Sequence, residues 1–180
     1  MKSLEPQEAA VMSVERKQEK KNPPLLYNLA ELQNDCSKLF KISPDETLRV
    51  VQELYEKKMV TYPRTDARVL SSAVAKEISK NISGLKGINM VRPFAEEILE
   101  KESYKQIAKT RYVNDKMITD HYAIIPTGQG LGAMRGLNPV SLKVYETIVR
   151  RFLANFLRTG YYKKVSLTMG METERFFCFL

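Results

Sequence analysis

The sequence predicts a mainly α-helical fold with short β segments, in the α+β class. Three observations predict it. Apolar residues recur at helical spacing in five stretches, near 28–41, 43–58, 71–80, 92–102 and 138–157. Strand-like patterning is confined to short pieces between these stretches and at the two ends. Proline and glycine punctuate the joints, at Pro23–Pro24, at Gly84 and Gly87, and from Gly128 to Gly136. The chain has 180 residues, enough for one domain and part of another, and its 43% apolar content is that of an ordinary packed core.

Val11–Met12–Ser13–Val14 reads as a short strand, and Glu15 to Lys21 as a charged, solvated run. Lys17, Lys20 and Lys21 are also able to meet nucleic-acid phosphates. Pro23–Pro24 then stiffens the chain and ends any pairing. In the first helix Leu29, Leu32, Cys36, Leu39 and Phe40 form the apolar stripe, so Cys36 is packing and not chemistry. Ser43–Pro44–Asp45–Glu46 opens the second helix with a capping serine, a proline in the first turn and acids at the positive end of the dipole. Leu48, Val51, Leu54 and Tyr55 mark its buried face. Two helices joined through the Ile42–Ser43 corner make a helix-turn-helix, winged-helix-like element. Such a pair either lays a helix on DNA or is ordinary packing.

A third helix starts at Ser71 or Ser72 and carries Val74, Ala75 and Ile78 inward, with Gly84 and Gly87 breaking it. Arg92 to Glu102 is the fourth, with Phe94, Ile98 and Leu99 inward. Tyr112 to Ile118 reads as extended. The glycines from 128 to 136 lack a phosphate-loop pattern and read as a connector. Asn138–Pro139 caps the last helix, which runs to about Leu157 with Leu142, Tyr145, Ile148, Val149, Phe152, Leu153 and Phe156 on its apolar side. Tyr162 to Met169 and Phe176 to Leu180 read as strand pieces.

Composition narrows the function classes. Lys and Arg number 29 against 21 Asp and Glu, a net charge of +8, which favours a polyanionic partner but fits a ribosomal or membrane-surface protein equally. Cys36 and Cys178 follow no ligand spacing, and with one histidine no metal site is built. There is no apolar run of membrane-spanning length and no signal-peptide pattern, so a cytoplasmic location is expected.

One stretch organises the rest: Met59–Val60–Thr61–Tyr62–Pro63–Arg64–Thr65–Asp66. Pro63 pushes Tyr62 out of the helical region. In an extended chain Tyr62 and Arg64 share a face, with Pro63 on the other. Tyrosine serves as a covalent nucleophile, and arginine grips phosphate through a planar two-point contact. On these residues alone, a half-buried strand tyrosine beside a solvated arginine is the commoner arrangement.

Tyr62–Pro63–Arg64–Thr65–Asp66 resembles the active-site signature of type IA DNA topoisomerases, and the proline after the tyrosine is most like the topoisomerase III branch. Asp120–His121–Tyr122–Ala123–Ile124–Ile125–Pro126–Thr127–Gly128 resembles the family's motif Asp-His-His-Ala-Ile-Ile-Pro-Thr. Pro23 to Leu29 with Leu32–Gln33 is similar to the lead-in to its tyrosine-bearing domain, and Tyr145 to Ala154 to that domain's exit. Four motifs in the expected order are far more specific than any one. Two departures stand out. Ala67 replaces a frequent serine, and Tyr122 replaces the second histidine.

The resemblance implies a fragment: residues 1–22 and 160–180 as stubs of a β-rich hinge domain, and 23–159 as the inserted tyrosine domain. It implies that Tyr62 is the nucleophile, that Arg64 holds the developing phosphate charge, and that His121 lies beside the nucleophile and contacts the scissile phosphate or its neighbour. Asp66 is expected to orient Arg64 or the adjoining backbone, and Thr65 to hydrogen-bond locally. The implied reaction is ATP-independent relaxation or decatenation through a transient 5′-phosphotyrosyl link to single-stranded DNA. The family's Toprim domain, with its glutamate and Mg²⁺, has no match here. The partners implied are single-stranded DNA and the Toprim and hinge domains of a parent chain, in the nucleoid, and the fragment alone is expected to be inactive. The rival is a non-catalytic helix-turn-helix DNA-binding module. A tyrosine recombinase fragment fits poorly, because that family places histidines before its tyrosine.

Overall fold

A computed structural model describes residues 22–157. The strand pieces expected at Val11–Val14, Tyr162–Met169 and Phe176–Leu180, and with them the hinge stubs, lie outside the described residues. The described part is mainly helical: α1 (Leu29–Phe40), α2 (Pro44–Glu56), α3 (Ser72–Gly84), α4 (Arg92–Glu100) and α5 (Pro139–Ala154), with short 3₁₀ turns at Leu85–Gly87, Ser103–Lys109, Asp115–Met117 and Leu131–Gly136.

Each long helix starts where a side chain can cap it. Asn28, Ser43, Ser71 and Asn138 accept hydrogen bonds from the backbone N–H of Glu31, Glu46, Val74 and Ser141. Such a cap contributes about 1 kcal/mol by satisfying a donor the helix cannot satisfy itself. Proline in the first turn of α2 and α5 adds a preset φ. Helix α4 begins on Arg92–Pro93 without a side-chain cap.

Helix α5 is the centre of the core. Leu142, Val144, Tyr145, Ile148, Val149, Phe152 and Leu153 are all buried, and α1 and α2 pack against it. Helix α3 packs with α4 and the 3₁₀ turns at 85–87 and 103–109, and one continuous apolar cluster joins the two groups. The α1–α2 pair is joined by Lys41–Ser43 and packed side to side, as the corner at Ile42–Ser43 predicts.

Several expectations are corrected. Among the described residues β pairing is limited to isolated bridges, Tyr27 with Ile124, Val60 with Pro126 and Leu70 with Val113, so no wing of paired strands forms there. Tyr112 to Ile118 is not extended throughout. After Val113 the Asn114 side chain accepts from Lys116 N–H and folds the chain into a 3₁₀ turn. The buried stripe of α2 is Thr47, Val50, Val51 and Leu54. Leu48 is half-buried, and Tyr55, roughly a quarter turn off that stripe, is 39% exposed. Leu39 is 61% exposed, because Phe40 covers the core at the end of α1. Helix α3 runs on to Gly84, while α4 and α5 stop short of Glu102 and Leu157.

Candidate active site

The segment after α2 is held on two sides by backbone. On one side, Thr61 N–H donates to Ile125 O (3.0 Å), Thr127 N–H to Met59 O (3.0 Å) and Ala123 N–H to Val69 O (3.0 Å). Thr61 Oγ1 donates to Ala123 O and accepts from Ile125 N–H, both at 3.0 Å. On the other side, Leu29 N–H donates to Thr65 O and Leu26 N–H to Arg68 O, both at 3.1 Å. Residues 25–29, 59–70 and 121–127 are thereby laced together without a regular sheet. Three of the four matched motifs supply those segments.

Within this frame burial alternates: Pro63, Thr65 and Ala67 are buried, while Arg64 and Asp66 are exposed and Tyr62 is half-buried. The chain bends at Pro63–Arg64, where Thr65 N–H donates to Pro63 O (3.0 Å) and closes a three-residue turn. The alternation leaves Tyr62 and Arg64 on the open side even though the segment is not a straight strand. Thr65 Oγ1 accepts from Ala67 N–H (3.1 Å) and donates to His121 O (3.4 Å). A buried threonine thus fixes both the turn and the backbone that carries the histidine.

The Tyr62 ring contacts two other rings. Its centroid is 4.3 Å from that of His121, tilted by 35°. On its other contact Tyr55 lies at 5.4 Å, nearly perpendicular at 83°. His121 is exposed. Among the described residues the Arg64 guanidinium and the Asp66 carboxylate form no ion pair with each other. Asp66 meets the frame through its backbone, its carbonyl accepting from Asn28 Nδ2 (3.1 Å). Arg64 is thus left open to an incoming anion. Tyr122, in place of the second histidine, is half-buried, and burial pushes its phenol above the usual range.

Sequence reasoning missed three supports of this site. Helical periodicity places Tyr55 on the buried face of α2, whereas its ring is partly exposed and contacts Tyr62. Gly128 (φ 78°) and Gly130 (φ 71°) are not loose connector residues: a Cβ on Gly84 would stand 2.3 Å from Gly128 O, and one on Gly130 2.3 Å from Lys57 O. The third support is a polar knot. Arg151 donates to Leu25 O (2.9 Å) and Asp35 Oδ2 (3.0 Å), Tyr27 donates to the same Oδ2 (2.6 Å), and the guanidinium lies 4.1 Å over the Tyr27 ring. Burial pushes the Tyr27 phenol up, and so does Asp35, against the opposing pull of Arg151. In the sequence Tyr27 and Arg151 lie in the matched lead-in and exit motifs, and nothing there pairs them with each other or with Asp35. Cys36 is buried, and burial first, then Asp35, pushes its thiol up to about 12, so it is packing.

Among the described residues no group of three or more His, Cys, Asp and Glu side chains could hold a metal ion, and no helix is long and apolar enough to cross a membrane.

Residues 1–178 match the family described as DNA topoisomerase. The chain belongs to that family. Within it, the DNA topoisomerase 3 of Bacillus cereus (strain ATCC 14579) is 36% identical over 177 residues, covering 98% of this chain and 24% of the relative. That of Bacillus subtilis (strain 168) is 38% identical over 176 residues, 96% and 24% respectively, and that of Bacillus licheniformis 37% over 174 residues, 95% and 23%. The type IA topoisomerase family and its topoisomerase III branch are therefore where this sequence lies. The chain spans about a quarter (24%) of the length of the curated relatives it matches.

Proposed function

We propose that residues 23–159 are the tyrosine domain of a type IA topoisomerase, and that Tyr62 cuts single-stranded DNA by transesterification. The observation that carries this reading is the half-buried Tyr62 ring against the exposed His121, with the open Arg64 two residues on, in a chain of this family. The phenolic oxygen forms a bond to phosphorus as the bond to the 3′ oxygen breaks. The phenol gives up its proton, and the leaving 3′ oxygen gains one. The DNA is left as a 5′-phosphotyrosyl ester and a free 3′ hydroxyl. The ester conserves the bond energy, so resealing by attack of that hydroxyl needs no ATP.

Phosphoryl transfer gains from positioning and from charge placed where charge develops. Arg64 supplies a cation with a two-point grip on a phosphate. His121 supplies a donor beside the ring. Thr65 ties both segments together, and Asp66 anchors its segment through its carbonyl to Asn28, the cap of α1. The α1–α2 pair and the net charge of +8 suit the approach of a DNA backbone. The family resemblance implies Mg²⁺ in a Toprim domain, but the described residues offer no cluster to hold it. This chain then contributes nucleophile and phosphate grip to a site completed by a Toprim-bearing segment in the cytoplasm, at the nucleoid DNA.

The test is covalent trapping. The chain is mixed with end-labelled single-stranded DNA and Mg²⁺, with and without a separately expressed Toprim-bearing segment, then denatured. The expected result is a labelled adduct at the 5′ phosphate that requires both the segment and Tyr62, is absent in Tyr62→Phe, and does not form with the chain alone. DNA binding that is lost with rising salt, yet never gives an adduct in a proven complex of both pieces, would establish a binding module instead.

A further inference from the structure

We infer that Tyr55 is a positioning residue for Tyr62: the Tyr55 and His121 rings, both in contact with the Tyr62 ring, together hold that tyrosine in one rotamer. The inference rests on Tyr62 being the nucleophile and adds what aims it.

Tyr55 lies in the last turn of α2 and is 39% exposed, outside the buried stripe Thr47, Val50, Val51 and Leu54. Its ring therefore adds little to the core, and its aromatic contact is with Tyr62, centroid to centroid 5.4 Å at 83°. Edge-to-face is the favoured geometry for such a pair, because a positive ring edge meets a negative ring face. His121 contacts the Tyr62 ring as well, at 4.3 Å and a much smaller tilt of 35°.

Both contacting rings are tied to the backbone that carries Tyr62. The α2 end is closed by Lys58 N–H donating to Tyr55 O (2.9 Å) and Met59 N–H to Leu54 O (3.0 Å), so Tyr55 and the start of the tyrosine segment move as one piece. His121 is tied through Thr65 Oγ1 to its carbonyl (3.4 Å). Swinging Tyr62 about its Cα–Cβ bond forfeits both ring contacts at once. A nucleophile reacts from a near-attack geometry, and loss of that geometry costs up to about 100-fold in rate.

The experiment compares Tyr55→Leu and Tyr55→Phe with wild type in the full chain. His121 is the only histidine in the sequence, so its Hε1 resonance is a single reporter of the ring beside it. Tyr62→Leu calibrates the change seen when that ring is absent. In Tyr55→Leu the His121 signal is expected to move toward the Tyr62→Leu position. Adduct formation with the Toprim-bearing segment should fall about 10- to 100-fold, with affinity for single-stranded DNA unchanged. Tyr55→Phe keeps the ring and should match wild type in all three. A His121 signal unmoved in Tyr55→Leu would overturn the inference, as would unchanged trapping. A loss of DNA affinity equal to the loss of trapping would also overturn it, by making Tyr55 a DNA contact. If wild type itself forms no adduct, the strand-cleavage reading fails, and the His121 resonance still decides whether Tyr55 holds Tyr62.

Discussion

Lys58 carries the plainest energetic signal at the scale of one residue. Its φ is 64°, in the left-handed region where a side chain costs about 1–2 kcal/mol. The position follows α2 and its carbonyl accepts from Thr127 Oγ1, so the chain must turn there to send Met59–Tyr62 along the 121–127 segment. Glycine relieves the strain but is floppier when unfolded. Lys58→Gly is therefore expected to stabilise by about 0.5–1 kcal/mol net. Urea unfolding should show a higher midpoint at unchanged slope, and Lys58→Ala, which removes the charge and keeps the strain, should not gain. At this scale the sequence was legible where a residue acts on its own neighbours. The capping roles of Ser43 and Asn138 and the alternation about Pro63 follow from local chemistry. Lys58 was not legible, because nothing local marks a lysine as left-handed.

At the scale of elements, the histidine-bearing segment is placed by glycines. Helix α3 ends on Gly84, which meets the backbone of Gly128, and Asn81 Nδ2 donates to Pro126 O (3.0 Å) just beyond. Gly130 in turn meets Lys57, the C-cap of α2. Two helix ends thus clamp the loop that follows His121. In Gly84→Ala the new Cβ would lie 2.3 Å from Gly128 O and 2.6 Å from its Cα, both backbone atoms that yield only if the loop shifts. The expected cost is about 1–3 kcal/mol of overpacking, seen in a thermal melt, together with a displaced His121 resonance. Gly132→Ala, with nothing within 4 Å, should be neutral within about 0.5 kcal/mol. The helices themselves were legible, since periodicity is a local property. The four glycines looked alike in sequence, and only the approach of a distant helix separates Gly128 and Gly130 from Gly132 and Gly136.

At the scale of the whole molecule, the knot of Tyr27, Asp35 and Arg151 ties the first segment, α1 and α5 together. None of its pairings has a periodic spacing, so sequence offered no sign of it. Leu25 O takes hydrogen bonds from both Arg151 (2.9 Å) and Arg68 (3.3 Å), and Leu26 and Leu29 then lace to Arg68 and Thr65. The knot is therefore two steps from the tyrosine turn. The Arg151 side chain is 13% exposed and that of Asp35 23%, so this pair is screened far less than the surface pairs. Asp35→Ala leaves a half-buried guanidinium and a phenol without their shared acceptor. The expected cost is about 1–3 kcal/mol, measured by denaturant unfolding. Replacing Arg151 by Met in the same background should restore part of that loss, because an apolar neighbour no longer demands an acceptor. Hydrogen exchange separates this from a general loss of stability. The amides of Leu26 and Leu29 should lose more protection in Asp35→Ala than the amides in the middle of α3, which lie in the other packed group. Equal loss at all of these amides would mean that the knot stabilises the fold as a whole and does not hold the tyrosine segment through residues 25–29.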